Sequence, residues 1–172
     1  MKKLLTNYFE EYNVTNLQKD SYEDFLNNRI YDIIREENKI EVNFTKTEKY
    51  TVIFRDPIIE KPLIIEEDRT IRTFYPAEAR VRDLTYDAPI CINIEEIFSK
   101  LVDGEYVVSD HNINNKVIIT RIPIMLQTTR CNLYGLTRDQ INHAGEDIWD
   151  YGGYFIIKGK ERVLVSQERI NY

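Results

Sequence analysis

The sequence is poor in the residues that carry much of enzyme chemistry. It has two cysteines, Cys91 and Cys131, and two histidines, His111 and His143, none at the spacing of a zinc site. Cys91 lies in an apolar run and reads as a buried core thiol. His111 falls in a polar stretch and His143 near a helix end, where solvated histidines are expected. There are only six glycines in 172 residues, and no phosphate-cradling loop of the P-loop or dinucleotide type. Gly152-Gly153 is a lone pair and reads as a turn. No spacing of Ser, His and Asp, or of Cys and His, marks a nucleophile. Glu146, Asp147 and Asp150 read as an acidic loop, since no other ligand type clusters with them. No run approaches the ~18 apolar residues of a membrane span. The apolar start is interrupted by Asn7, Glu10 and Glu11 before it could serve as a signal peptide. An intracellular protein with no membrane partner is expected.

What is present suits a folded domain. Hydrophobic residues are 42% and charged residues 30%. A chain of this length buries a core without disulfides or metal. The net charge of −6 counts against a freestanding nucleic-acid binder, which is usually basic. The charge is unevenly spread. Residues 1–115 carry 15 basic and 23 acidic groups, whereas residues 116–138 carry four basic groups and no acid. Residues 139–150 carry four acids, and residues 151–172 have four basic and two acidic groups. The basic surplus therefore sits in the last third.

Periodicity gives the order of elements. Leu4, Leu5, Tyr8, Phe9 and Tyr12 have helical spacing. A second helix is expected from Asp20 or Ser21, with Ser21 as cap and a stripe of Tyr22, Phe25, Leu26, Ile30, Ile33 and Ile34. The period then becomes two. Strands are expected over 40–44, 50–54, 63–65, 70–75 and 81–94, with Pro89 marking an edge or bulge in the last. A hairpin is expected from Tyr106 to Ile122 across the polar run 110–115. Thr137 and Gln140 form a capping box for a short helix. Two strands, Gly153 to Ile157 and Arg162 to Val165, flank a turn at Lys158-Gly159-Lys160, where Gly159 suits a positive φ. The fold class is α+β: N-terminal amphipathic helices, then a mainly antiparallel sheet, with residues 1–172 as one domain.

Four stretches carry a family resemblance. Asp150-Tyr-Gly-Gly-Tyr-Phe-Ile-Ile-Lys-Gly-Lys-Glu-Arg-Val-Leu-Val-Ser-Gln-Glu-Arg169 resembles the "GGYFIINGSEKVLISQER" signature of the second-largest, or β, subunit of multisubunit DNA-directed RNA polymerases. Ile122-Pro-Ile-Met-Leu126 with Cys131-Asn-Leu133 resembles "LPIMLRSKxCxL". Tyr75-Pro-Ala-Glu-Ala-Arg-Val-Arg-Asp-Leu-Thr-Tyr86 resembles "YPxEARLRNLTYS". Leu17-Gln-Lys-Asp-Ser-Tyr-Glu-Asp-Phe25 is similar to the "QLDSFNxF" helix. The four occur in family order over nearly the whole chain. The wording is nearer the eukaryotic, archaeal and large-DNA-virus versions than the bacterial one. The sequence also departs from the pattern. Gln127-Thr128-Thr129 replaces a basic Arg-Ser-Lys, Lys160 stands where serine is common, and the hinge from Val102 to Lys116 is short.

The resemblance implies the protrusion, an α+β module forming part of one wall of the DNA cleft, here incomplete. It implies a fragment or a split gene product of a much longer subunit. The expected role is to help form the cleft holding template DNA and the RNA–DNA hybrid; a freestanding module binding polymerase subunits or initiation factors is the alternative. Nucleotidyl transfer would belong to the assembly. This chain would supply no catalytic residue and no metal ligand, and Mg²⁺ would be held elsewhere. Other polymerase subunits, including the largest, are the implied partners, with DNA and initiation factors. The implied location is a viral factory, host cytoplasm or virion for a virus, and the nucleus for a eukaryote.

Residue roles follow only from the resemblance. Lys158, Lys160, Arg162, Gln167 and Arg169 become nucleic-acid-side candidates, because cations neutralise phosphates and glutamine bonds to phosphate or sugar. The other reading has them decorating a turn or pairing with local acids. Pro76, Arg80, Arg82, Leu84, Thr85, Tyr86, Pro123, Met125, Cys131, Gly152, Gly153 and Gly159 are the motif residues expected to act structurally. For Arg80 and Arg82, two residues apart on an expected strand, two readings stay open. One is a basic pair facing the cleft or another subunit, and the other is ion pairing with Glu78, Asp83 or the helix acids.

Overall fold

Hydrophobic spacing sets the first described helix, but tertiary contacts set its start. The computed structural model describes residues 4–6, 8, 13–165, 167 and 170. Leu4, Leu5 and Tyr8 are helical, and Phe9 and Tyr12 lie outside the described residues. Helix α1 runs Asn16–Asp24, passes through a π-helical turn at Phe25–Arg29 and continues as α2, Ile30–Glu36. Ser21 is therefore interior, not a cap. Two bonds to one carbonyl support the earlier start: Thr15 Oγ1 donates to Tyr151 O at 3.2 Å, and Lys19 Nζ donates to it at 3.1 Å.

The buried stripe is narrower than expected. Tyr22, Leu26 and Ile30 are buried, while Phe25 and Ile33 are exposed. Their spacing is four throughout. In a regular helix each four-residue step overshoots a turn by about 40°. The π turn holds more residues per turn and absorbs that drift.

The strands follow as β1 Lys39–Asn43, β2 Glu48–Phe54, β3 Ile58–Ile59, β4 Leu63–Ile65 and β5 Ile71–Thr73. After helix α3, Pro76–Val81, come the long strands β6 Asp87–Val102 and β7 Glu105–Pro123. Helix α4 is Arg138–His143, and β8 Phe155–Ile157 and β9 Lys160–Arg162 close the order. The expected strand over 81–94 thus begins only at Asp87. The registers of β1 with β2, β2 with β6, and β3 with β6 are all antiparallel. The α+β expectation holds.

One expected hairpin is misplaced. Residues 105–123 form one strand, and β7 pairs β6. The reversal lies earlier, at Asp103-Gly104, with φ of 52° and 90°. Both positive values mark the two-residue turn that Asp-Gly favours. His111 therefore stands in a strand, with Nε2 2.8 Å from Glu95 Oε1.

The chain falls into two compact units. One comprises residues 24–60 and 89–121 and is built on the five-stranded sheet. The other comprises 1–23, 61–88 and 122–172. In it the β4–β5 and β8–β9 hairpins accompany a core of Phe74, Ala79, Tyr86, Ala88, Ile124, Leu126, Cys131, Leu133 and Ile156. Helix α4 has the expected capping box: Gln140 N donates to Thr137 Oγ1, and Thr137 N donates to Gln140 Oε1 at 2.9 Å. No described helix is long and apolar enough to cross a membrane.

Candidate functional site

Arg80 and Arg82, expected two residues apart on a strand, fold differently, and so does Val81, expected to begin the strand over 81–94. Pro76 occupies the first helical turn, where its missing N–H costs nothing, and Ala77, Glu78 and Ala79 are compatible with helix. The six-residue helix ends at Arg82, whose N–H donates to Glu78 O. Asp83 then turns the chain at φ 53°. Arg80 and Arg82 consequently part company.

Arg82 joins an exposed network. Its Nη1 donates to Glu66 at 3.0 Å and to Glu78 at 2.7 Å. Arg72 bonds the same two carboxylates. Hydrogen bonds from Arg72, then Arg82, hold the Glu78 carboxyl down to about 2, against an ordinary 4.5. Hydrogen bonds from Arg82, then Arg72, lower Glu66 as well. A carboxyl lowered on folding stabilises above its unfolded value, and that contribution disappears as pH falls towards the folded one. The unfolding midpoint should therefore drop as pH goes from 4.5 to about 2. Glu78→Gln should lower the midpoint at pH 7 and flatten the acid drop. A thermal unfolding series against pH reads both, and an unchanged acid limb would refute the assignment.

Arg80 points instead into a part-buried cluster. Its Nη1 donates to both Glu146 oxygens at 2.8 Å. Its Nη2 donates to the Tyr154 hydroxyl at 2.8 Å, and its Nε to Glu161 at 2.9 Å. Burial works against the guanidinium charge, yet Glu146 outweighs it and holds Arg80 above its ordinary range. Burial pushes the Glu146 carboxyl up, opposed by Arg80. The Tyr154 hydroxyl donates to Asp150, whose Oδ1 accepts the Gly152 N–H at 2.9 Å. Arg82 thus pairs with Glu78, an acid named in the ion-pairing reading, whereas the partners of Arg80 are Glu146 and Glu161, which that reading does not name, and Asp83 is in neither pair.

The same segment docks the last motif. Lys158 and Gly159 turn the β8–β9 hairpin at φ 50° and 71°. Gly159 N donates to Leu84 O at 2.9 Å, Tyr86 N to Ile156 O at 3.0 Å, and Lys158 N to Thr85 Oγ1 at 3.1 Å. A Cβ on Gly159 would lie 2.6 Å from Asp83 Oδ1. The partners Phe155↔Arg162, Ile156↔Glu161 and Ile157↔Lys160 fix the faces. Glu161 shares the face of the fully buried Ile156, on the Arg80 side. Lys160 and Arg162 share the other face.

The nucleic-acid candidates thus have definite places. Lys158, Lys160, Arg162 and Gln167 are exposed. Among the described residues, no carboxylate forms an ion pair with Lys158, Lys160 or Arg162, whereas Arg72, Arg80 and Arg82 are all committed to acids. Arg169 lies outside the described residues. The expected strand to Val165 stops at Arg162, and Val163, Leu164 and Val165 are exposed.

The middle motif makes its contacts within the fold. Met125 and Cys131 are buried, and Cys131 Sγ sits 3.6 Å from the buried Tyr86 hydroxyl. That hydroxyl accepts Asn132 N at 2.9 Å. Pro123 O accepts the Tyr22 hydroxyl. The replaced basic triplet forms a turn. Thr128 Oγ1 donates to Met125 O at 2.7 Å, and Thr129 Oγ1 donates to Glu23 at 2.7 Å. Among the described residues no group of three or more His, Cys, Asp or Glu could hold a metal ion.

Comparison with known proteins places these features in a family. Residues 13–171 match the model described as RNA polymerase beta subunit. The chain is 39% identical to DNA-directed RNA polymerase subunit Rpo2N of Methanocaldococcus jannaschii, covering 98% of this chain and 32% of the relative. It is 33% identical to DNA-directed RNA polymerase II subunit 2 of Arabidopsis thaliana, over 98% of this chain and 15% of the relative. It is 36% identical to a probable DNA-directed RNA polymerase II subunit RPB2 homolog of Invertebrate iridescent virus 3, over 99% of this chain and 15% of the relative. The chain therefore spans between 15% and 32% of the length of these relatives.

Proposed function

The chain belongs to the RNA polymerase beta subunit family, and from that premise we propose that it forms the protrusion segment of a second-largest subunit, lining the cleft beside the RNA–DNA hybrid. The observation that carries this reading is the contrast among its cations. Arg72, Arg80 and Arg82 are neutralised within the fold, while Lys158, Lys160 and Arg162 are exposed on one anchored hairpin without an acid partner among the described residues. Unpaired, positioned cations suit phosphate neutralisation, which displaces counterions and gives salt-dependent affinity. In this reading the exposed Gln167 adds a hydrogen-bonding group, and Arg169 is included on the sequence motif alone.

Partners in this proposal are the other polymerase subunits, the largest among them, with template DNA, the hybrid and initiation factors. The work is intracellular. Phosphodiester formation belongs to the assembly, and its Mg²⁺ sits on another chain; this chain contributes shape and charge. The relatives described above are named as polymerase subunits, so a freestanding adaptor draws no support from them.

The test substitutes Lys160→Ala and Arg162→Ala in the assembled polymerase and follows hybrid retention against salt. Removing one phosphate-neutralising cation should reduce the slope of log affinity on log salt by about 0.7 to 0.9. An unchanged slope in both variants would refute the contact.

A further inference from the structure

A cation on a two-stranded ribbon is useful only if the ribbon is held still. The β8–β9 hairpin has three residues per strand, too few to be stable alone. Its tip is held by two backbone N–H donors, Gly159 to Leu84 O and Lys158 to Thr85 Oγ1. Among the described residues its second strand carries one side-chain tether, the Glu161 carboxylate accepting Arg80 Nε at 2.9 Å. Glu161 lies between Lys160 and Arg162, so fixing it turns both cations to the opposite face. Arg80 is itself held by both oxygens of Glu146, whose side chain is 4% exposed, and by Tyr154.

We infer that Glu161 is a positioning residue, acting through Arg80 to set the direction of Lys160 and Arg162 towards nucleic-acid phosphates. This rests on the phosphate-contact reading above. It makes an acid helpful in a surface that meets polyanions. Plain electrostatics predicts the reverse, because an acid flanked by two phosphate-binding cations repels the ligand and offsets their charge. The two accounts therefore differ in sign.

The experiment uses Glu161→Gln in the assembled polymerase on an RNA–DNA hybrid scaffold, with Lys160→Ala, Arg162→Ala and the Glu161→Gln/Arg162→Ala double variant beside it. The Glu161 side chain is 57% exposed, so its substitution leaves the fold standing. The expected result is hybrid binding weakened about threefold to fivefold, the scale of an exposed ion pair. A shallower salt slope and non-additivity with Arg162→Ala should accompany it. Should Lys160→Ala and Arg162→Ala weaken binding while Glu161→Gln tightens it or leaves it unchanged, the positioning role is overturned and the phosphate contact stands. Should neither Lys160→Ala nor Arg162→Ala move affinity or slope, the phosphate contact fails and the positioning role fails with it.

Discussion

Gly152→Ala should cost the fold about 2–5 kcal/mol, the sum of two separate penalties. The residue has φ 67°, a left-handed conformation that side chains disfavour by about 1–2 kcal/mol. A Cβ there would also stand 2.5 Å from Leu126 O and 2.6 Å from Gln127 Cβ. The carbonyl cannot retreat cheaply, because it accepts Gly153 N at 3.1 Å while Leu126 N donates to Tyr154 O at 2.9 Å. Overpacking of this kind adds about 1–3 kcal/mol. Gly104→Ala is the matched control: its φ is 90°, but nothing lies within 4 Å of the added atom. Denaturant unfolding of both variants separates backbone strain from collision. Equal losses would mean that the close approach to Leu126 has no energetic weight.

Arg80→Met should be the most damaging change at a charged residue. It leaves the Glu146 carboxylate, 4% exposed, without the guanidinium that bonds both its oxygens. Breaking a buried pair from one side costs about 3–5 kcal/mol, and the low end applies because Arg80 itself is 25% exposed. Arg35→Ala, which loses the open pair with Asp56, should stay within about 0.5 kcal/mol. The pH dependence identifies the cause. Burial already pushes Glu146 up, and without Arg80 its main opposition is gone, leaving a backbone hydrogen bond at Ala77 as the smaller one. A carboxyl raised on folding favours the folded state below its unfolded value, and that advantage is lost as pH rises through the folded one. The deficit of Arg80→Met should therefore shrink as pH falls towards the ordinary carboxyl value of 4.5 and grow as pH rises through the raised folded one. A deficit independent of pH would point to lost packing. The pair of changes Arg80→Met and Glu146→Leu should recover part of the loss by removing both charges together.

Local signals in the sequence carried local structure. The Thr137 and Gln140 box needs only four residues to operate, and it forms as its spacing implies. The positive φ at Gly159 and the period-two runs in β1 and β2 are of the same kind. The failures are instructive because each has a physical cause. Asp103-Gly104 is a stronger turn signal than the polar run 110–115, yet the run's length and polarity drew the hairpin there. Arg80 and Val81 are expected on a strand, but Pro76 at the first turn and two alanines carry a helix through Val81. The candidate cations were readable as a motif. Their division into cations committed to acids and cations without an acid partner among the described residues was not, because Arg80 meets Glu146 across 66 residues of chain and Glu161 across 81. Only the folded arrangement brings those acids to the arginine.

The division of the chain also sets an order of assembly. All of the sheet unit, residues 24–60 and 89–121, has been synthesised by the time residue 121 emerges. The other unit joins three separated stretches, and its β8–β9 hairpin closes onto residues made 73 positions earlier, where Lys158 meets Thr85. Contacts so distant along the chain form slowly, since loop closure comes before their reward. On the ribosome the sheet can therefore settle first. Meanwhile the cradle at 75–86 waits with Arg80 uncovered until Glu146 and Glu161 arrive. Interrupted synthesis before residue 146 would leave that arginine without either carboxylate, a nascent species distinguished by a positive charge that the finished protein neutralises.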